Sequence, residues 1–241
     1  MKIIEKISEK ARDNMGKSGV TIAFLGASVV QGCFEIYLKN DKSLETVYDQ
    51  KHAIHTYFKD ILSVLYPSVP VNIINAGISG DTAHHGLERL EKDVISHTPD
   101  LAVVSFGLND CGGELDGVAK YIESLRGIFT KLKAADSEII FMTTNMMNTD
   151  ISCHIKDEAI RNIAADTMRR QNDGILELYM NEAKKLCAQM GVTVCDCYEK
   201  WKILYENGVD VTELLANKIN HPIREMNMLP AIALVETMMI S

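Results

Sequence analysis

Five short runs of apolar residues, most of them rich in β-branched side chains, recur along the chain. They occupy residues 20–25, 71–75, 101–106, 138–143 and 192–195. Continuous apolar runs of this length are typical of parallel strands that are buried on both faces. We therefore predict five buried strands.

Longer segments with helical periodicity lie between and after these runs. Apolar residues recur at three-and-four spacing over 47–65 and 118–132, and further helices are predicted within 157–189 and 223–239. A turn signal at 172–174 predicts a break within the third segment. Because strands alternate with helices, the sequence predicts an α/β fold, a three-layer α/β/α sandwich with a five-stranded parallel sheet of flavodoxin-like type. We expect one domain over 1–241, in which residues 1–18 form a polar, helical lead-in.

Composition and charge narrow the class of partner. The chain has 241 residues, of which 46% are hydrophobic, and this suffices for one sizeable core. A net charge of −8 argues against nucleic acid and anionic membranes as partners. No apolar run is long enough to span a bilayer, and the N-terminus does not resemble a secretory signal.

The six cysteines are scattered and do not show the spacing of zinc ligands. Cys195 and Cys197 form the one close pair, and we expect both to be reduced core residues. Free thiols without an export signal favour a cytoplasmic location. The sequence predicts no metal and no other cofactor.

Residues with catalytic potential follow three of the predicted strands. Ser28 comes after the first strand, Gly80 lies in a glycine-containing loop after the second, and Asn109 follows the third. The carboxyl ends of parallel strands meet at one edge of a sheet, so we expect these three residues to lie close together. Near the C-terminus, His221 has the pKa range needed to take a proton from a serine hydroxyl. Each segment alone is also compatible with an ordinary turn or helix cap.

Together the four segments resemble the sequence blocks of the SGNH hydrolases, also called the GDSL family of esterases and lipases. The blocks occur in the family's order, within about residues 20–234. The resemblance implies that Ser28 is a nucleophile and His221 its general base. It also implies an oxyanion hole formed by the backbone N–H groups of Ser28 and Gly80 and the side-chain amide of Asn109. The fold that it implies is the same three-layer sandwich.

The chain departs from the family pattern at two positions. Ala27 replaces the aspartate between the glycine and the serine of the first block, a change expected to affect loop packing more than chemistry. Lys218 stands where the family usually has an aspartate, three residues before the histidine, and its neighbour Asn217 is neutral.

Three alternatives follow for the orientation of His221. Asn217, through its amide oxygen, or a backbone carbonyl orients the ring. Alternatively, another acid does so, with Asp210, Glu213 and Glu225 as candidates. In the third alternative, the enzyme is slow or inactive.

From these observations we expect a serine esterase that cleaves short-chain acyl esters through an acyl-enzyme on Ser28. The predicted catalytic residues are Ser28, His221 and Asn217. Acetyl groups on carbohydrates are one candidate substrate, and the chain has no long apolar lid segment that would favour bulky lipids. The alternative is a binding module that kept the fold and the pocket without catalysis. The expected partner is a small ester; the sequence predicts neither its identity nor the oligomeric state.

Overall fold

A five-stranded parallel sheet forms the centre of the computed structural model, which describes residues 1–241. Its spatial order is β4-β1-β5-β6-β7. The seven strands of the protein are β1 (Val20–Gly26), β2 (Cys33–Leu38), β3 (Leu44–Tyr48), β4 (Val71–Gly77), β5 (Leu101–Ser105), β6 (Glu138–Met142) and β7 (Thr193–Cys195). The five predicted strands are confirmed, each to within two residues at either end.

Helices cover both faces of this sheet. The nine α-helices are α1 (Lys2–Arg12), α2 (Ser28–Gln31), α3 (Ile54–Leu65), α4 (Ala83–Asp93), α5 (Glu114–Ala134), α6 (Glu158–Asn172), α7 (Ile175–Met190), α8 (Cys197–Glu206) and α9 (Met228–Ile240). The predicted break at 172–174 is confirmed, because Gly174 adopts a left-handed conformation between α6 and α7. Within the predicted lead-in, α1 covers Lys2–Arg12 and buries Ile3 and Ile7, whereas residues 13–18 are not helical.

Side chains of β1 alternate between two hydrophobic cores, one on each face of the sheet. Ala23 and Leu25 join a core built with α4, α5 and α7, whereas Ile22 and Phe24 join a core built with α1, α3 and α9. This alternation is what a strand requires when successive side chains point to opposite faces. Burial on both faces explains why the strand sequences are almost continuously apolar.

The helix predicted over 47–65 is correct only in its second half. Residues Leu44–Tyr48 form β3, which pairs with β2 in an antiparallel hairpin, and α3 begins at Ile54. The hairpin is a two-stranded ribbon outside the main sheet, and most of its side chains are partly exposed. Such a ribbon carries only a weak alternation of apolar residues, and Val47 and Tyr48 happen to continue the helical phase of α3.

Two further features concern the cysteines and the membrane. Cys195 ends β7 and Cys197 begins α8, and both are buried in the core with their sulfurs 3.8 Å apart. No group of three or more His, Cys, Asp or Glu side chains is arranged to hold a metal ion. None of the helices is both long and apolar enough to cross a membrane.

Candidate active site

Ser28 lies at the carboxyl edge of the sheet, where β1 ends and α2 begins. The turn is tight, and β4 passes directly against α2. A Cβ on Gly77 would lie 2.3 Å from the backbone nitrogen of Gln31, so this close approach requires glycine. The packing fixes Ser28 at the start of a short helix, with 5% of its surface exposed.

His221 contacts Ser28 although the two residues are 193 positions apart in the chain. The imidazole Nε2 lies 2.8 Å from Ser28 Oγ, and Nδ1 lies 2.8 Å from the backbone oxygen of Phe34. A carbonyl oxygen can only accept a hydrogen bond, so Nδ1 carries the proton and donates it to Phe34. Nε2 is then free to accept from the hydroxyl of Ser28.

The Phe34 carbonyl is available because the hairpin contains a bulge. Cys33 pairs with Tyr48 and Ile36 pairs with Thr46, so two residues of β2 stand opposite one residue of β3. A bulge interrupts the ladder of backbone hydrogen bonds locally. It therefore leaves the Phe34 oxygen free to accept from the imidazole.

Burial lowers the pKa of His221 below its usual value, and the hydrogen bond to Phe34 opposes this shift. The ring is almost fully buried, and no carboxylate contacts it. Because burial disfavours the charged form, the imidazole is neutral at pH 7. A neutral imidazole is the form that can accept a proton from serine.

Asn217 does not contact the imidazole, contrary to one of the sequence-based alternatives. Its Oδ1 accepts hydrogen bonds from the backbone N–H groups of Ile219, Asn220 and His221, at 2.9–3.0 Å. The side chain therefore folds the loop that carries His221. Since its oxygen is occupied by three backbone donors, the Phe34 carbonyl is the acceptor for the ring.

None of the other candidate acids contacts the ring either. Asp210 caps its own turn through the N–H groups of Thr212 and Glu213, and Glu213 pairs with Lys218 at 2.8 Å. Lys218 has a left-handed backbone, with φ of 57°, and its side chain points to Glu213. The side chain of Glu225 is exposed.

Gly80 and Asn109 both border the groove that contains Ser28. Gly80 has a φ of 78°, which favours glycine, and its N–H donates no hydrogen bond within the protein. Asn109 uses one N–H of its side-chain amide to bind the backbone oxygen of Asp81 at 2.7 Å. The amide carries two N–H groups, so one remains for a ligand.

Arg89 ties the ends of β1 and β4 to the loop that follows β4, and sequence reasoning did not identify it. Its guanidinium binds Asp81 Oδ2 at 2.7 Å and the backbone oxygens of Ala76 and Gly26 at 2.7 and 3.1 Å. Arg89 and Asp81 are eight residues apart, a spacing that carries no recognisable motif.

Asp110 caps α4 from a different loop. Its Oδ1 accepts from the backbone N–H of Ala83 at 2.9 Å, whereas the preceding residue, Thr82, makes no side-chain cap. Burial raises the pKa of Asp110 to about 6. The cap fixes the distance between the Gly80 loop and the Asn109 loop.

An open groove of about 340 Å³ leads to Ser28 between the hairpin and α6. The hairpin contributes Ile36, Leu44 and Thr46, and α6 contributes Ile160, Ile163, Thr167 and Arg170. Leu44 is 51% exposed and Ile163 is 44% exposed. Four aliphatic side chains of these walls therefore line the groove beside polar ones, and no aromatic residue other than His221 lines it.

Comparison with known sequences identifies relatives of the chain. The sequence profile of the GDSL-like Lipase/Acylhydrolase family matches residues 24–227. An acetylxylan esterase of Geobacillus stearothermophilus is 30% identical over 96 residues, which is 36% of this chain and 44% of that protein. An arylesterase of Vibrio mimicus is 50% identical over 40 residues, 17% of this chain and 20% of the relative. The matches thus span less than half the length of each curated relative.

Solved structures share the fold over most of the chain. A mutant of Axe2, an acetyl-xylooligosaccharide esterase of Geobacillus, superposes with a TM-score of 0.68 at 21% identity. This match covers 93% of the present chain and 96% of the other. The acetyl xylan esterase AlAXEase gives a TM-score of 0.67 at 19% identity, covering 90% and 98%.

Proposed function

The chain belongs to the GDSL-like Lipase/Acylhydrolase family, and from this premise we propose that it is a serine esterase that hydrolyses short-chain acyl esters. The observation that carries the proposal is the pair of 2.8 Å contacts from His221, one to Ser28 Oγ and one to the Phe34 oxygen. Through these contacts, the neutral imidazole of His221 can accept the proton of the Ser28 hydroxyl at Nε2, while Nδ1 donates to the Phe34 oxygen.

In the proposed reaction, Ser28 Oγ attacks the ester carbonyl while His221 Nε2 takes the hydroxyl proton. The resulting imidazolium gives this proton to the oxygen of the leaving alcohol as the carbon–oxygen bond breaks. A water molecule then attacks the acyl-enzyme while His221 Nε2 takes its proton. The proton passes to Ser28 Oγ as the bond between Oγ and the acyl carbon breaks, and the acid is released. The imidazolium is stabilised by the neutral Phe34 carbonyl instead of a carboxylate.

The oxyanion of the tetrahedral intermediate is assigned to the Ser28 N–H, the Gly80 N–H and the free N–H of the Asn109 amide. The position of Gly80 and Asn109 on the groove of Ser28 supports this assignment. Donors that are already fixed need no reorganisation when the charge develops, which makes such groups effective.

The four aliphatic side chains of the groove walls support an acyl chain as the group that is bound beside Ser28. The loop after β6 is not expected to hydrogen-bond a sugar through Asn145 or Asn148. Both residues are buried, and their side-chain amides bind backbone oxygens. Two relatives are named for acetylxylan, so acetyl esters of carbohydrates belong in the substrate panel.

The alternative function is a non-catalytic binding module. It is favoured by the lack of charge on the Phe34 carbonyl, which stabilises an imidazolium less than a carboxylate does. Hydrolysis of p-nitrophenyl acetate by the wild type and by Ser28→Ala distinguishes the two. A serine esterase loses its activity in the variant, and a fluorophosphonate probe labels the wild type alone. Equal hydrolysis by both proteins, or failure of the probe to label the folded wild type, would contradict the proposal.

A further inference from the structure

Arg224 holds the bulged segment of β2 from three sides. Its Nη1 and Nη2 bind the two carboxylate oxygens of Glu35 at 2.6 and 3.1 Å. Its Nε binds Asp49 Oδ2 at 2.9 Å, just after β3 ends. The guanidinium also lies over the ring of Phe34, 4.5 Å from its centre. The Arg224 side chain therefore binds residues of both arms of the hairpin at its base.

The chemistry of these contacts is specific to arginine. A two-point bond between guanidinium and carboxylate fixes direction as well as distance, and a flat cation stacks on an aromatic face. The side chains of Arg224, Glu35 and Asp49 are each less than one-third exposed. The guanidinium lowers the pKa of Glu35, so both partners are charged at neutral pH.

The position of Arg224 in the chain links these contacts to His221. Arg224 follows His221 by three residues, and Glu35 follows Phe34 directly. The segment that carries the imidazole thus also binds the segment that carries its acceptor. The two connections, His221 to Phe34 and Arg224 to Glu35, lie side by side between the same two pieces of chain.

We propose that Arg224 is a positioning residue, which holds the Phe34 carbonyl against His221 Nδ1. The carbonyl can then orient the ring in place of the absent aspartate. This inference rests on the proposed esterase function for its kinetic consequences. A backbone carbonyl has no net charge to attract the imidazole, so its placement depends on the packing of the hairpin. Phe34 itself is buried, but a two-stranded ribbon is only marginally stable by itself. The Arg224 contacts tie the base of this ribbon to the segment that carries His221.

The test uses three variants and one control in the full chain. Arg224→Met keeps much of the side-chain volume but removes all three contacts. Arg224→Lys keeps the charge without the two-point bond, and Glu35→Gln weakens one partner. The control is Lys184→Met, which removes an ion pair to Asp196 of similar length and exposure, located on α7 away from Ser28.

We expect Arg224→Met to lower kcat for p-nitrophenyl acetate by about 10- to 100-fold, the size of effect that follows a misplacement of about 1 Å. KM should change less than kcat, because the orientation of His221 acts on the chemical step and not on the binding of the substrate. Glu35→Gln and Arg224→Lys should fall between Arg224→Met and the wild type. Lys184→Met should keep wild-type kcat. If Arg224→Met keeps wild-type kcat and shifts only the melting temperature, as the control does, the positioning role is wrong.

A second readout does not require activity. In the wild type, the proton on His221 Nδ1 should give a downfield NMR signal protected from exchange with water, because the Phe34 carbonyl holds it. We expect the signal to broaden or vanish in Arg224→Met at a temperature where the variant is folded. A protected signal of unchanged position would overturn the inference. An inactive wild type that retains the signal would contradict the esterase proposal alone.

Discussion

His221 Nδ1 donates to the backbone oxygen of Phe34 at 2.8 Å, while Nε2 of the same ring lies 2.8 Å from Ser28 Oγ. The acceptor is therefore a peptide carbonyl from a hairpin, and Lys218 stands at the position three residues before the histidine where the family pattern usually has an aspartate. A carbonyl fixes the tautomer as well as a carboxylate does, since both accept from Nδ1–H. It gives less stabilisation to the imidazolium, because it carries no net charge.

The role of Asn217 is tested by comparing two substitutions at one position. Asn217→Ala leaves three backbone N–H groups, two of them buried, without their acceptor and should lower the free energy of unfolding by about 2–3 kcal/mol. For a chain of this size, that corresponds to a melting temperature lower by roughly 5–10 °C. Asn217→Asp keeps an acceptor oxygen for the loop and should keep kcat within about threefold of wild type.

Thermal unfolding and ester hydrolysis of the two variants provide the measurement. A gain in kcat of more than about tenfold in Asn217→Asp would show that a carboxylate at this position reaches the ring, contrary to the geometry.

The dependence of activity on pH follows from the burial of His221. Its pKa in the folded protein is lowered below the usual value of 6.5. Protonation removes the base, so kcat/KM should be full near pH 7 and fall as the pH drops through a midpoint below 6.5. An acid limb centred at or above 6.5, measured where the protein stays folded, would show that the imidazolium is stabilised instead.

Stability should change in the same direction. His55 is also buried, and burial lowers its pKa. The unfolded chain binds protons at both histidines below pH 6.5, whereas the folded chain resists protonation, so these groups favour folding above pH 6.5 and lose that contribution as the pH falls. Denaturant unfolding of His55→Phe, compared with wild type at pH 7 and pH 5.5, should show a smaller loss of stability in the variant.

Asn109→Ala should lower kcat by about 100- to 1000-fold with little change in KM, because the lost donor acts on the charge that develops in the transition state. Asn172→Ala serves as the matched control. It removes another amide-to-backbone bond, at 3.1 Å to Thr149, that lies outside the groove. Equal kcat in Asn109→Ala and wild type would exclude the amide from the oxyanion hole.

The aliphatic side chains of the groove walls should favour longer acyl chains over acetate. In Leu44→Ser and Ile163→Ser, we expect kcat/KM for p-nitrophenyl hexanoate to fall about 5- to 10-fold, since each buried methylene contributes up to about 0.8 kcal/mol. Hydrolysis of p-nitrophenyl acetate should change less than about twofold, because acetate does not reach these side chains.

Ile203→Ser is the control for this series, since Ile203 is similarly exposed, at 49%, on α8 outside the groove. An equal fall for acetate and hexanoate in the groove variants would assign the two residues a structural role only.

Much of the site was predictable because several of its residues directly follow strands of the sheet. Ser28, Gly80 and Asn109 each follow a strand that the apolar pattern predicts, and parallel strands bring their carboxyl ends to one edge. His221 was found through its resemblance to a family block, since no periodicity of the chain connects it to Ser28. Asn217 was predicted as a residue that could orient the ring, but its oxygen accepts from backbone N–H groups. The sequence does not say which donor an amide oxygen faces.

The sequence by itself determined the five strands, most of the helices and the identity of the polar residues at one edge of the sheet. It could do so because burial on two faces imposes an apolar pattern that can be read locally. Only the tertiary structure decided what orients His221. The acceptor is a backbone carbonyl, a group that every residue carries, so the sequence does not mark it. A bulge frees this oxygen from the hairpin ladder, and Arg224, from the far end of the chain, holds the segment in place.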